Sequence, residues 1–310
     1  MIWVIFLQGI LILALLVAVI RFYQGFRFYQ FHKNLSPDLT YRLQITPTVK
    51  FKYISKASHY ITGSTVKENK ENPFLPLNTV SDRHRKKIQD LYEGRIGGAT
   101  TMEVSFKKSN GDAIYWLEQH VIPYYDWQGR LKGYNGIARD ITEKKALEQQ
   151  LLWVSRHDQL TGVFNRNYLE ETLREPDKLS YPMTVLYCDF DNMKTINDEY
   201  GHDQGDYILQ TFTQLLKKKL PPSSSIFRYG GDEFVIFIED AYGSIEINHL
   251  MNEIRQPISS IKVKRHSLTV SIGYSTITDA SELSAAIKQA DEAMYRDKRK
   301  RQLYGDLLPT

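Results

Sequence analysis

The feature that most constrains this chain is a pair of glycines followed by two acidic residues, set between two apolar segments. The segment Gly230–Glu233 reads Gly-Gly-Asp-Glu and separates two runs of β-forming residues, Ile226–Tyr229 and Phe234–Glu239. Two glycines between such runs predict a tight β-hairpin, and without side chains they leave the backbone open to a phosphate group. Asp232 and Glu233 are therefore expected to project from a sharp turn beside bare backbone.

A second acidic strand end occurs earlier in the chain. Met183–Cys188 is an apolar run typical of a buried strand, and Asp189 follows it directly. If this strand neighbours the hairpin, Asp189 and Asp232 emerge at the same edge. Carboxylates that converge without histidine or cysteine are hard oxygen ligands, which suit Mg²⁺ or Mn²⁺ and a bound nucleotide triphosphate. The alternative, a merely solvated acidic turn, is disfavoured because two acidic strand ends occur together with the glycine pair.

Three motifs in the C-terminal half resemble the signatures of the GGDEF-domain diguanylate cyclases. They are Asp158–Arg166, the spaced residues of Asp189–Asp206, and Arg228–Phe234. The resemblance implies that residues 157–305 form an α+β domain with a palm-like central sheet flanked by helices. The implied reaction condenses two GTP molecules into cyclic di-GMP and releases two molecules of pyrophosphate.

The resemblance also implies roles for the acidic residues and for one lysine. Asp189 and Asp232 would hold two Mg²⁺ (or Mn²⁺) ions in each half-site, with the backbone carbonyl of Phe190 and the side chain of Glu233 as further ligands. Asp232, Glu233 and Lys194 are the expected catalytic residues, and Lys194 would contact the triphosphate. Asp232 is the family's candidate for accepting the proton of the attacking 3′-hydroxyl. Which carboxylate acts as general base, if any does, stays open because a metal-bound carboxylate is a poor base.

Three polar residues are expected to bind the nucleotide base by the same resemblance. Asn197 and Asp206 would read the guanine edge, since an amide both donates and accepts and a carboxylate accepts from the guanine N–H groups. His202 would line the same pocket. The alternative for His202 is a turn-stabilising role after Gly201.

The last helix of the sequence leads to a further lysine. Its apolar residues recur at helical spacing and are Leu283, Ile287, Ala290 and Met294. Lys298 continues this stripe by one turn, where it can reach a phosphate. The family commonly has a second phosphate-binding arginine at the position that Gln302 occupies here. Arg301 is the candidate replacement, and a solvated charged tail is the alternative.

The N-terminus predicts a membrane anchor. Residues 1–20 carry no charge, and about 20 apolar residues span a bilayer core. Basic residues and aromatic residues follow at once, which predicts that the downstream domains are cytoplasmic. The segment lacks the basic start and the cleavage site of a signal peptide. We therefore expect a single-pass protein of the bacterial cell membrane.

Residues 36–142 are expected to form an antiparallel-sheet domain that resembles PAS sensor domains. The expected strands are Val49–Ile54, Met102–Phe106, Ala113–Ile122 and Tyr134–Ala138, with turns at Asn110-Gly111 and Asp126–Gly129. Three histidines lie here, but we assign no sensor cofactor. His84 lies in a charged run that predicts a solvated face, and His120 in a strand that predicts half-burial, while His59 carries no further prediction.

Residues 143–156 predict a helical linker between the two domains. Leu147, Leu151 and Val154 recur at coiled-coil-like spacing, although a helix packed on its own domain is the alternative. The cyclase reaction needs a homodimer, because each half-site binds one GTP. The formal net charge of +4 gives no argument for a nucleic-acid partner. Two other functions stay open: a catalytically idle GGDEF-like module that binds GTP for signalling, and a scaffold whose C-terminal half is only structural.

Overall fold

The computed structural model describes residues 37–107, 114–263 and 266–304. The chain divides between Glu148 and Gln149 into two compact units, each with its own sheet and its own hydrophobic core. The predicted anchor at residues 1–20 and the predicted turn at Asn110-Gly111 lie outside the described residues.

The N-terminal unit is a five-stranded antiparallel sheet with strand order β2-β1-β5-β4-β3. The strands are β1 (Leu39–Gln44), β2 (Lys50–Ile54), β3 (Thr100–Lys107), β4 (Ile114–Tyr125) and β5 (Leu131–Asp140). Four helices connect β2 to β3: α1 (Ala57–Thr62), α2 (Val66–Glu71), α3 (Leu75–Thr79) and α4 (Arg85–Tyr92). The four expected strands are confirmed, and so is the turn at Asp126–Gly129, where the Gly129 amide donates to the Asp126 carbonyl. Strand β1 was not predicted, although its alternating leucines and tyrosine carry a strand pattern.

Side chains of the sheet and of the connecting helices enclose a cavity of about 50 Å³ in this unit. Its lining is mostly apolar, and among its polar groups the Tyr41 hydroxyl donates to Gln119 Oε1 at 3.0 Å. The helical segment is tied to β3 by His84, whose Nδ1 accepts from the Ser105 amide at 3.1 Å. The predictions for two histidines are wrong. His84 is only 7% exposed because Ser81 and Ser105 surround its ring, and His120 is exposed.

Helix α5 (Thr142–Arg156) occupies the predicted linker, and the division between the units falls within it. None of its residues is buried. Leu147 is 52% exposed and Leu151 is 69% exposed, so the predicted seam faces solvent in the protomer. The packed-helix alternative therefore does not describe α5.

The C-terminal unit is a five-stranded sheet with strand order β12-β7-β9-β8-β6, in which only the β6–β8 pair is parallel. Its strands are β6 (Phe164–Asn165), β7 (Met183–Phe190), β8 (Ser225–Arg228), β9 (Glu233–Ile238) and β12 (Val270–Ile277), and a separate short pair is β10 (Lys262–Val263) with β11 (His266–Ser267). The helices are α6 (Arg166–Leu173), α7 (Met193–Tyr200), α8 (His202–Lys219), α9 (Ser244–Ser259) and α10 (Leu283–Tyr304). This is the α+β class expected from the sequence.

Both faces of this sheet are covered, which explains why its central strands are apolar on both sides. On one face Phe234 and Ile236 pack with residues of α7, α8 and α9. On the other, Val235 and Phe237 pack with residues of α6 and α10. Because side chains alternate along a strand, residues 187 and 189 of β7 point to the α10 face.

The predicted single-pass membrane localisation is corrected by the described structure. Among the described helices, none is long and apolar enough to cross a membrane. The two longest, α10 with 22 residues and α8 with 18, are interrupted by charged side chains. A span would need about 20 predominantly apolar residues in succession.

Candidate active site

Strand register brings two of the predicted acidic residues face to face. Asp189, near the end of β7, pairs directly with Glu233, the first residue of β9. Directly opposed residues of antiparallel strands point to the same face with Cβ atoms about 5 Å apart. Asp232 immediately precedes Glu233 in the turn, and its charge acts on both carboxylates. The predicted convergence of Asp189 with the acidic turn is therefore present.

The glycine turn has a different local cause from the one expected. Neither Gly230 nor Gly231 adopts a left-handed conformation, so the turn does not need glycine for its backbone angles. A Cβ at Gly230 would lie 2.4 Å from Oε2 of Glu233, whereas one at Gly231 would meet nothing within 4 Å. The first glycine thus makes room for the Glu233 carboxylate, and the second exposes open backbone. That openness agrees with the expected approach of a phosphate.

Arg228 stabilises this turn through hydrogen bonds. Its guanidinium donates to the Gly231 carbonyl at 3.1 and 2.7 Å and to both carboxylate oxygens of Asp158 at 3.0 and 3.1 Å. Burial raises the pKa of Asp158, but hydrogen bonds from Thr161 and Arg228 more than offset it, so the pKa lies below its ordinary value. The sequence identifies Asp158 and Arg228 only as members of two separate motifs. Seventy positions separate them, and only the fold shows that they form one support.

Helix α10 delivers Lys298 to the carboxylates. Its buried stripe runs through Leu283, Ala286, Ala290 and Met294. One turn further, the Lys298 ammonium forms an ion pair with Oδ1 of Asp189. Lys298 is thus confirmed as the continuation of the stripe, and its partner in this structure is a predicted metal ligand.

Burial and mutual repulsion shape the ionisation of this cluster. Burial, chiefly, raises the pKa of Asp189, and Asp232 adds to the rise while Lys298 opposes it. Burial also raises the pKa of Glu233, with further contributions from Asp189 and Asp232. Burial lowers the pKa of Lys298, but Asp189 outweighs it, so the pKa of the ammonium is raised. The cluster thus carries excess negative charge that a cation stabilises.

The donor chemistry of the cluster fits a hard divalent cation, although the side chains alone do not complete a site. In the parts of the chain that are described, no three acidic, histidine or cysteine side chains are grouped so as to hold a metal ion. Mg²⁺ usually takes only one or two protein carboxylates and completes its shell with substrate phosphates and water. The Phe190 side chain has no ligand atom and is buried in the core, so its backbone carbonyl is the group that this residue could offer to a metal. In this structure the Lys298 ammonium provides a positive charge next to Asp189.

Hydrogen bonds to strand β12 and to the residue just before it fix the loop between β7 and α7. Asp191 is buried, its amide donates to the Thr269 carbonyl at 2.9 Å, and its Oδ1 accepts from the Ser271 hydroxyl at 2.8 Å. Asn192 follows in a left-handed conformation with φ of 66°. This fixed loop starts α7, on which Lys194 is exposed. Asp191 is a supporting residue that the sequence did not identify.

The predicted base-reading residues lie on α7 and on the first turn of α8. Asn197 is half-buried, and its Oδ1 has no hydrogen-bond partner. A Cβ at Gly205 would lie 2.0 Å from that oxygen, so the amide rests directly on the α8 backbone. His202 and Asp206 are exposed on the same turn of α8. The fold therefore brings these three residues to one helix junction.

Arg301 belongs to a small polar network around Asp297 in this structure. Its Nε donates to Asp297 Oδ2 at 3.2 Å, and the same oxygen accepts from Arg255 at 2.7 Å and from the Ile272 amide at 3.2 Å. Arg301 is thus engaged beside the free edge of β12, and Gln302 is exposed.

Part of this chain is similar to known proteins. Residues 155–303 match the family model described as "Diguanylate cyclase, GGDEF domain". A diguanylate cyclase of Vibrio cholerae is 29% identical over 219 residues, which cover 68% of this chain and 67% of that protein. Diguanylate cyclase DgcM of Escherichia coli K12 is 32% identical over 168 residues, 52% of this chain and 40% of that protein. A structure of the coiled coil and GGDEF domain of Caulobacter crescentus DgcB has 26% identity and a TM-score of 0.45, covering 51% of this chain and 90% of that one.

The chain spans two thirds of the Vibrio relative but less than half of the Escherichia one. The match falls on the C-terminal unit, and it contains the glycine turn, the opposed carboxylates and Lys298. The C-terminal unit of this chain therefore belongs to the GGDEF domain family of diguanylate cyclases.

Proposed function

We propose that this protein is a diguanylate cyclase that makes cyclic di-GMP from two GTP molecules. In each half-reaction a 3′-hydroxyl oxygen bonds to the α-phosphorus of the other nucleotide. The bond from that phosphorus to the β-phosphate oxygen breaks, pyrophosphate leaves, and the hydroxyl proton is lost. The observation that carries this proposal is the pairing of Asp189 with Glu233 beside the open backbone of Gly231.

The proposed metal ligands are Asp189, Asp232, Glu233 and the carbonyl of Phe190, which would hold two Mg²⁺ or Mn²⁺ ions. When bound, these ions neutralise charge on the triphosphate and lower the cost of charge growing at the α-phosphate. The open backbone at Gly231 admits the phosphates close to the turn. We propose Asp232, which is half-exposed at the turn, as the group that accepts the hydroxyl proton directly or through water.

The remaining contacts to the nucleotide are proposed for residues of α7, α8 and α10. Lys194 and Lys298 offset phosphate charge from two sides. Asn197, with an oxygen that lacks a partner, and Asp206 accept from the guanine N–H groups, and His202 closes the pocket beside them. For Arg301 to reach a phosphate it must leave Asp297.

Two copies of the chain are required, because each half-site holds only one of the two nucleotides. Holding both GTP molecules in line supplies the proximity that free collision lacks. The exposed apolar seam of α5 supports a homodimer.

We further propose that the N-terminal unit is a PAS-like sensor module. Its support is the antiparallel sheet with helices inserted between β2 and β3, together with the enclosed cavity. At about 50 Å³, that cavity admits a few water molecules or a very small ligand.

Incubation of the full chain with GTP and Mg²⁺ tests the proposed activity. Release of pyrophosphate together with cyclic di-GMP, separated by chromatography, is the expected result. Asp232→Ala should lower product formation by at least about 100-fold, the scale for losing a group that acts in the transition state. Glu239→Ala, an exposed acid at the far end of β9, is the matched control and should leave the rate unchanged.

The same experiment separates the alternatives. An idle module would bind GTP, measured by calorimetry, and release no pyrophosphate. A structural scaffold would do neither. Equal activity of the Asp232→Ala and Glu239→Ala proteins would exclude the assigned site.

A further inference from the structure

Lys298 occupies a position that the proposed reaction requires to be vacated. Its ammonium forms an ion pair with Asp189, the carboxylate at the centre of the proposed metal site. The pair is largely shielded from solvent, since the Asp189 side chain is 13% exposed and that of Lys298 is 26% exposed. Shielding strengthens a charge pair relative to one in open water.

The position of this lysine is fixed by the packing of α10. A Cβ at Gly273 of β12 would lie 2.1 Å from the Met294 nitrogen and 2.2 Å from the Ala290 oxygen, so the helix backbone lies directly on the strand. The residue before Lys298 is anchored as well, since Asp297 accepts from Arg255 and from the Ile272 amide. The helix therefore holds the lysine stem over the end of β7, and the flexible side chain can move without a shift of the helix.

The surrounding charge makes the ammonium the local counter-ion of the acidic cluster. Asp189, Asp191 and Asp232 all act electrostatically on Lys298. A divalent cation bound to Asp189 would place two further positive charges against this ammonium. Lysine and metal therefore compete for the same carboxylate.

We propose that Lys298 is an exchangeable counter-ion: it neutralises Asp189 before substrate arrives, and it is transferred to the triphosphate when the metal–nucleotide complex binds. The proposal rests on the metal-dependent reaction proposed above and adds to it a preferred order in which metal and nucleotide bind. Metal alone is opposed by the lysine. Metal that arrives with a triphosphate offers the lysine a new anionic partner, so the two ligands bind with positive coupling.

Binding of Mn²⁺ to the full-length protein, measured by electron paramagnetic resonance, tests this without any turnover. In the absence of nucleotide, Lys298→Met should bind Mn²⁺ at least about fivefold more tightly than wild type, the lower end of typical coupling between two sites. With α,β-methylene-GTP, in which the scissile bond cannot break, the effect should reverse and the variant should bind the complex less tightly. Lys300→Met, which removes an exposed charge from the same helix, is the matched control.

A second measurement needs no substitution. Lys298 should react slowly with an amine-labelling reagent in the free protein, faster after Mn²⁺ alone, and slowly again with Mn²⁺ and α,β-methylene-GTP, as followed by mass spectrometry. The proposal is overturned if the labelling of Lys298 does not change between these states. It is also overturned if Lys298→Met binds Mn²⁺ no more tightly than Lys300→Met, and this includes the case in which neither variant binds Mn²⁺. If the exchange fails but the wild type still makes cyclic di-GMP, the counter-ion proposal is wrong and the proposed function is not affected. If the exchange is seen but no cyclic di-GMP is made, the proposed function is wrong and the counter-ion exchange is retained.

Discussion

At the scale of single residues, the support beneath the glycine turn is as informative as the acids above it. Asp158 accepts two hydrogen bonds from Arg228, which in turn holds the Gly231 carbonyl. Asp158→Asn keeps the size of the side chain and removes its charge. We expect it to lower the free energy of unfolding by about 1.5–3 kcal/mol, the range for a hydrogen bond to a charged group. Product formation should fall too, because Arg228 is then free to leave the turn.

The pH dependence of this effect has a defined sign. The pKa of Asp158 is lowered in the folded protein, so the unfolded chain takes up the proton first as the pH falls. The stabilisation is complete above the unfolded pKa, about 4, and is lost as the pH falls through the folded value. Urea unfolding at a series of pH values should show the difference between wild type and Asp158→Asn shrinking below about pH 4. A difference that is constant with pH, or one equal to that of the exposed Asp177→Asn control, would argue against the ion pair.

Residue-level prediction succeeded where the signal is local and failed where the partner is distant. The acidic turn and Lys298 could be predicted because each follows from spacing within one element. The role of Asp158 could not, since its partner lies 70 positions away. His84 was misjudged because its charged neighbours indicate solvent, whereas the serines that bury it lie across a turn and on β3.

At the scale of elements, the packing of α10 on β12 is a close backbone contact in the site. Gly273 allows the helix backbone to lie on the strand, and this contact sets the height of Lys298 above Asp189. Gly273→Ala introduces a methyl group where there is no space. We expect the free energy of unfolding to drop by about 1–3 kcal/mol or more, the cost of overpacking a core. Product formation should drop as well, since the helix must move away from the carboxylates.

Urea denaturation and the product assay measure both effects. Gly98→Ala is the control, because a Cβ there meets nothing within 4 Å. It should change the free energy of unfolding by less than about 0.5 kcal/mol. If Gly273→Ala is as stable and as active as Gly98→Ala, the close contact does not position Lys298.

The secondary-structure elements show how much of the fold the sequence pattern can predict. The hairpin β8–β9 and strand β7 were predictable, since a glycine pair and an unbroken apolar run identify a turn and a buried strand. Their adjacency was an assumption that only pairing could establish, and it is what places Asp189 beside Glu233. Arg301 illustrates the limit: helical spacing places Asp297 one turn before it, but it does not reveal that Asp297 also accepts from Arg255 and from the Ile272 amide.

At the scale of the whole molecule, the reaction requires two half-sites, and helix α5 carries an exposed apolar seam in the described part of the chain. No residue of α5 is buried, and Leu151 is 69% exposed. An apolar stripe at coiled-coil spacing gains stability when a second copy covers it. Leu151→Glu places a charge in that stripe, so we expect the dimer to dissociate at micromolar concentrations where the wild type is associated.

Analytical ultracentrifugation measures the association, and the product assay measures its consequence. Because two chains must meet for each turnover, the variant's rate per molecule should fall at low protein concentration and recover as concentration rises. Gln149→Glu introduces the same group on the opposite side of the helix and should leave both measurements unchanged. If Leu151→Glu alters neither association nor rate, α5 is not the element that joins the two copies. The two half-sites must then be brought together by other surfaces of the chain.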